Sequence, residues 1–291
     1  MRKDNDKFNA EDWNPKTSLG KKVKSGEISN IDRILNEGYP ILEPEIVDFL
    51  FPGIAVDYLN LGQRKGKFGG GQRSPIRQTQ KITEDGSTVK FTSLATVGNS
   101  NGIVGVGLGA SSDSLPSKNK ALRNAKLNLI KIRRGCGSWD CGCATPHSIP
   151  FKVTGKCGSV EVELLPAPKG TGLKINKEIA KILRLAGIKD IWSRTVGHTE
   201  VKLNHVFAVF DALKKLSILK LLPSHYESLG IAEGSSQDSG IETIQDIVDE
   251  DDDIVVDLED QDIDDSEDES EEVEDDEKSS DNSKEEGDKE Q

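Results

Sequence analysis

No stretch of this sequence approaches the roughly 18 consecutive apolar residues that a membrane-spanning helix needs, so a helical span is excluded. Met1-Arg2-Lys3-Asp4-Asn5-Asp6 leads into no apolar stretch either, so no secretory leader is expected and a cytosolic setting is. Cysteine is scarce: Cys136, Cys141, Cys143 and Cys157 cluster in a 291-residue chain, which favours thiols or a metal over a disulfide framework. Nucleotide fingerprints are missing as well. No G-x-x-x-x-G-K-[ST] occurs, and Gly105, Gly107 and Gly109 are spaced for one face of a strand rather than for a phosphate loop opening a helix. Of the four histidines, His147, His198, His205 and His225, none has a recognisable nucleophile partner, and His205 falls in a helical stretch where packing is its expected role. Neither catalysis nor a small-molecule substrate is expected.

What is present is charge, unevenly placed. The formal net charge of −13 conceals a basic body, because the residues from Ser235 onward carry 28 acidic and 3 basic side chains while the first 234 carry 35 basic and 23 acidic. Such asymmetry suggests a polyanion partner for the body. The tail cannot bury enough apolar surface to offset its chain entropy and is expected to be disordered. Two roles fit it: folding back on the body to suppress non-specific RNA binding, or acting as an inert solubilising appendage.

Five segments are expected. Residues 1–71 form an extension with Trp13 as an anchor, short helices at Asn30 to Asn36 and after Pro44, and the glycine-rich linker LGQRKGKFGGG. Residues 72–134 form a β-β-β-α unit like the later part of a double-stranded-RNA-binding domain. A cysteine loop (135–148), a second α+β domain (149–233) and the acidic tail (234–291) follow. In the second domain Ile149 to Thr154, Ser159 to Leu165 and Ile188 to Trp192 read as strands. Asn176 can cap a helix ended by Gly187, and a last helix spans about Asn204 to Leu221.

Val97 to Gly135 is the centre of this reading. Alternation places Val104, Val106, Leu108 and Ala110 on one face of a strand and three glycines on the other. Glycines at period two imply close approach of another backbone, protein or nucleic acid. A basic helix opening near Ser114 groups Ala121, Leu122, Ala125, Leu129 and Ile132 on one face, with Lys120, Arg123, Lys126, Lys131, Arg133 and Arg134 around the rest. Solvated surface and RNA contact both fit it; the glycine strand and the asparagine turn, Asn99, Asn101 and Gly102, favour RNA for Gly105, Gly107, Lys118 and the helix. Lys169, Gly170 and Thr171, just before the Asn176 helix, read either as an anion site at a helix N-terminus or as an ordinary turn.

Cys136, Cys141, Cys143 and His147 give C-x4-C-x-C-x3-H within 12 residues, with Cys157 as a substitute ligand. Four such donors would suit a closed structural zinc site. The spacing is not the C-x2-C knuckle, and Gly-Cys-Gly also suits a tight turn.

VGNSNGIVGVGLGAS, KNKALRNAKLNLIKIRRGCGSWDCGC, PHSIPFKVTGKCGSVEVELLPAPKGTGL, RLAGIKDIW, FDALKKL and EPEIVDFLFPG together resemble the fifth protein of the small ribosomal subunit, over roughly Asp12 to Gly230. The cysteine loop is similar to the archaeal pattern. The resemblance implies a structural constituent, bound to small-subunit rRNA near the path by which mRNA enters, touching the fourth small-subunit protein and contributing to translational accuracy. It maps RNA contact onto the Asn99 to Gly102 turn, the basic helix, and Lys152 and Lys156. Thr83 to Lys90, TEDGSTVK, departs from the basic hairpin tip of the bacterial branch. The alternative is a non-ribosomal double-stranded-RNA-binding regulator with a zinc-stabilised loop.

Overall fold

Apolar residues at helical spacing near the start build three short helices that pack on one another and on the first sheet. The computed structural model describes residues 13–62 and 73–234; most of the expected linker and nearly all of the acidic tail lie outside the described residues. Thr17 caps α1 (Ser18–Lys24) by accepting from the Gly20 amide, Gly38 ends α2 (Ile31–Glu37) in a left-handed conformation, and α3 (Glu45–Leu50) starts after Pro44. Val23, Ile31, Ile34, Ile46 and Val47 pack with Trp13 against Ile103 and Leu129, so the extension is docked, and Trp13 anchors it. Full burial of an isoleucine side chain is worth about 1.5–3 kcal/mol, enough for a few such residues to hold the segment. The extension also supplies β1 (Ala55–Tyr58), an edge strand the sequence pattern did not reveal.

The first sheet continues with β2 (Ile76–Thr83), β3 (Gly86–Gly98) and β4 (Ile103–Ser111), followed by α4 (Ser114–Leu127) and β5 (Leu129–Lys131). Its order is β1-β3-β4-β5, and β2 pairs with the first part of β3, whose last four residues pair with β1. Because β4 ends opposite Phe91, the outer parts of β2 and β3 project as a two-stranded ribbon, with Ile82 84% exposed. The basic helix is shorter than expected. It stops at Leu127, and Leu129 and Ile132 belong to strand and connection, not to its apolar face.

Both faces of β4 are covered. Val104 and Val106 join Leu94 in the main core, while the glycine side lies under α4. A Cβ on Gly107 would sit 2.5 Å from the Asn124 carbonyl carbon and one on Gly109 2.9 Å from Ala121 Cα. The backbone that comes close is therefore the protein's own helix, which leaves Gly105 and Gly107 no route to RNA.

After β6 (Arg133–Arg134) and the cysteine loop come β7 (Val153–Cys157), β8 (Val160–Pro166), β9 (Leu173–Lys174), α5 (Lys177–Leu185), β10 (Ile191–Val196), α6 (Lys202–Ile218), α7 (Pro223–Ser228) and β11 (Ala232–Glu233). The second sheet has the order β7-β8-β10-β9, with β10 parallel to β9 and antiparallel to β8. Helix α6 lies on it through Gly155, where a Cβ would come 2.5 Å from Ala212 N. Pro223 opens α7 as well as following the end of α6. The second domain is α+β, as expected.

One core serves both halves: Leu94, Val104, Val106 and Ile132 pack in one cluster with Ile179, Ile182, Leu183, Val162 and Val209. Helix α5 thus rests on the sheet face opposite α4. Asn60 donates its backbone N–H and its amide to Glu178 at 2.7 and 3.1 Å, tying the extension to that helix.

Candidate functional site

Several of the candidate RNA residues are used inside the protein. Asn99 Oδ1 accepts from the amides of Asn101 and Ile103 at 2.8 and 3.1 Å, closing the turn on itself. Ser100 and Gly102 donate their N–H groups to Leu185 and Ala186 at the end of α5. Gly187, with φ near 80°, leaves no room for a Cβ beside Ser100 and Arg134. The asparagine turn is thus the joint between the two halves, and Gly102 is buried in it. Its polar residues satisfy backbone groups that a buried joint would otherwise leave unpaired.

Arg133 and Arg134 are likewise inward. They form β6 and pair with β11, and Arg133 bridges Glu233 while donating to the Leu216 and Leu219 carbonyls. Arg134 is buried, which pushes its guanidinium below the ordinary range, and it donates to the Ser100 carbonyl at 3.5 Å. Lys126 pairs with both Asp48 oxygens, at 2.6 and 2.8 Å, and Lys131 reaches Asn36 and Glu233. Lys126, Lys131 and Arg133 thus hold the extension and the last described strand to the body, and Arg134 ties to the asparagine turn. Lys152 and Lys156 stay exposed but carry Glu163 and Glu161 as partners.

Lys120 and Arg123 on the outer face of α4, and Lys169 in its loop, have no carboxylate partner among the described residues and are exposed. Lys118 stands 5.6 Å from the centre of the Tyr58 ring. The Lys169 to Thr171 loop is not at a helix N-terminus, because β9 lies between it and α5. Asn176 caps α5 itself by accepting from Glu178 N, and the neighbouring Gly172 amide donates to Asp190 Oδ1 at 2.8 Å. A carboxylate of the protein fills the anion position, so of this group only the Lys169 charge is free.

A cationic face of the ribbon escaped the sequence reading. Register places Arg77 opposite Thr92, Lys90 opposite Thr79 and Lys81 opposite Thr88, so three cations and three threonines share one face. The alternation in IRQTQKIT was the available signal, hidden by the acidic tip Glu84-Asp85. The face looks to the α5 side, where Lys202 is pulled below its usual range by burial and by the charge of Arg73.

The cysteine loop is closed at its base by paired hydrogen bonds between Gly135 and Ser148, and Cys136 N donates to Leu229 O. Just inside that base Cys136 and His147 meet Cys141 and Cys143, each of the four placing a donor atom within 4.8 Å of all the others. Cys157 is elsewhere: it sits in β7 and packs on the main core, so it does not substitute for any of the four. Burial pushes the Cys136 thiol up to about 11, whereas the Thr145 hydroxyl, bonded to Cys143, draws that exposed thiol down to about 6. His147 and Asp190 are each 6% exposed, and Nδ1 meets Asp190 Oδ2 at 3.0 Å. An ionised carboxylate only accepts, so Nδ1 donates to Asp190, and Nε2, 3.9 Å from Cys141 Sγ, is the ring nitrogen that faces the sulfurs. Asp190, which sequence reasoning missed, lies 43 residues from His147.

Residues 75–133 match the family described as Ribosomal protein S5, N-terminal domain, and residues 155–222 match Ribosomal protein S5, C-terminal domain. The small ribosomal subunit protein uS5 of Nanoarchaeum equitans is 53% identical over 227 residues, covering 78% of this chain and 97% of that relative. The chain belongs to the ribosomal protein S5 family. Other S5 relatives include those of Methanocaldococcus jannaschii, 45% identical over 78% of this chain and 98% of the relative, and Picrophilus torridus, 42% identical over 79% and 97%. All three are archaeal, in line with the expected source. The cysteine loop falls between the two matched S5 domains.

Proposed function

We propose that this chain is a structural constituent of the small ribosomal subunit, where it holds rRNA and positions neighbouring proteins without catalysing a reaction. The observation that carries this is similarity along almost the whole length of relatives that are each named small ribosomal subunit protein uS5. The rRNA surface consists of the outer face of α4 (Lys120, Arg123), the Arg77, Lys81 and Lys90 face of the ribbon, and Lys169. These cations lack carboxylate partners among the described residues, the three of the ribbon share one face, and exposed cations without acidic partners favour a polyanion. An A-form duplex offers phosphates and 2′-hydroxyls, which cations and threonine hydroxyls can meet without reading bases.

Within the subunit, the family resemblance supports a position near the path by which mRNA enters, against the fourth small-subunit protein, with a part in translational accuracy. The free regulator finds no support among the relatives. Sedimentation of native extract through a high-salt sucrose gradient tests the first statement: the chain travels with the small subunit, and recovery at the top of the gradient refutes it. Lysine cross-linking of purified subunits tests the second through links to the fourth protein.

A further inference from the structure

We propose that Cys136, Cys141, Cys143 and His147 bind one structural Zn²⁺, and that this ion fastens the 135–148 loop to the second domain through Asp190. The site is independent of the rRNA surface. A tetrahedral zinc with Zn–S of about 2.3 Å and Zn–N of about 2.0 Å has edges of roughly 3.5–3.8 Å. The Cys141 to His147 edge is already 3.9 Å, and no pair in the cluster exceeds 4.8 Å. Closing around an ion thus needs donor movements of about 1 Å or less, within the reach of side-chain torsions.

Three thiolates and one imidazole fill every position of a tetrahedron and leave none open for substrate, the arrangement of a structural site. The loop needs such a fastening. Between the four candidate ligands it is Gly-Ser-Trp-Asp, a single Gly142 and Ala-Thr-Pro, Trp139 is 91% exposed, and Cys136 is the one buried apolar side chain among residues 136–146. Binding releases the thiol protons to solvent and takes the imidazole in its neutral form, with Nε2 as the ligand and Nδ1–H held by Asp190.

Asp190 is the positioning residue. One of its oxygens fixes the His147 ring and the other accepts from Gly172 N, while the Lys189 and Asp190 amides both donate to the His147 carbonyl. The ion would therefore order three segments at once: the loop, the 170–172 turn and the 189–190 connection into β10. A histidine ligand whose second nitrogen is held by a carboxylate is a recurrent arrangement, and removing the carboxylate typically weakens metal binding about 10–100-fold.

The test uses the full chain, purified reduced and reloaded with Zn²⁺ after chelation. We expect one zinc per chain by mass-spectrometric metal analysis, and, with Co²⁺ in its place, the visible absorption of tetrahedral cobalt with thiolate ligands. Three cysteines should resist alkylation only when metal is bound, with Cys157 unaffected by metal. C157S should keep the stoichiometry and the spectrum. C143S should lose the thiolate spectrum or shift it, and D190N should weaken zinc about 10–100-fold with the stoichiometry kept. Chelation of the wild-type chain should raise hydrogen exchange in residues 135–148, 170–172 and 189–190 together, a readout that needs no variant to fold. Less than half an equivalent of zinc, alkylation independent of metal, or loss of binding in C157S would overturn the proposal. Exchange confined to 135–148 would overturn the part assigned to Asp190.

Discussion

Replacing Gly107 by alanine separates packing from RNA contact at the glycine strand. The added Cβ would lie against Ala125 N and Ala121 O and 2.5 Å from the Asn124 carbonyl carbon. Comfortable contact between heavy atoms begins at about 3.5 Å, so α4 must move off the sheet by about 1–1.5 Å. The obstacle is helix backbone, which cannot rotate away as a side chain can. Lifting the helix loosens Ala121 and Ala125 from Ala95 and Val97 and stretches the bond between Ser117 and Ser93. Overpacking by one carbon costs about 1–3 kcal/mol when the surroundings adjust, and alanine recovers about 0.5–1 kcal/mol of chain entropy. A backbone obstacle puts the expected loss at the upper end, about 2–3 kcal/mol, or a fall of roughly 4–12 °C in melting temperature for a domain of this size. Urea denaturation of the full chain measures it, with G53A, whose Cβ meets nothing within 4 Å, as the control expected to stay within about 0.5 kcal/mol. An unchanged midpoint for G107A together with weaker binding to rRNA would refute the assignment of this face to α4.

Three further outcomes follow from the same geometry. D48N should destabilise by about 1.5–3 kcal/mol, because it removes the counter-charge and one of the two acceptor oxygens of a largely enclosed Lys126, and a denaturation series in which K126A and D48N add independently would exclude the pairing. K120A and R123A should leave stability within about 0.5 kcal/mol but lower the salt slope of rRNA binding by about one each; a slope unchanged in the double variant would remove α4 from the RNA surface. His205 is buried in α6 with both ring nitrogens unpaired, and burial, then the Lys202 charge, pulls it from 6.5 down to about 4. Unfolded imidazole therefore binds the proton first, so stability present above pH 6.5 is lost as pH falls towards 4, by up to roughly 3 kcal/mol. H205L should flatten that part of the urea-midpoint profile, and parallel profiles for the two proteins would exclude it.

The helix with Asn176 as its cap, the docked extension and the main strands were legible because each rests on local periodicity and capping. The family was legible too, since its signatures are runs of sequence. Misread were the short strands β1, β5, β6, β9 and β11, too brief for alternation to register, and Asp190, which no spacing joins to His147. Several of the candidate RNA residues are engaged inside the protein for one reason: charge and glycine mark where a chain needs a partner but not which partner. Gly105 and Gly107 need a close backbone, and the fold supplies α4. Arg133, Arg134, Lys126 and Lys131 need acceptors, and the fold supplies Glu233, carbonyls and Asp48. The sequence by itself determined that the body is basic, the elements alternate and four metal-type donors crowd into 12 residues. Which cations remain outside, and which carboxylate stands behind the histidine, only the tertiary structure decided, because burial and pairing depend on residues brought together across 43 to 118 positions of chain.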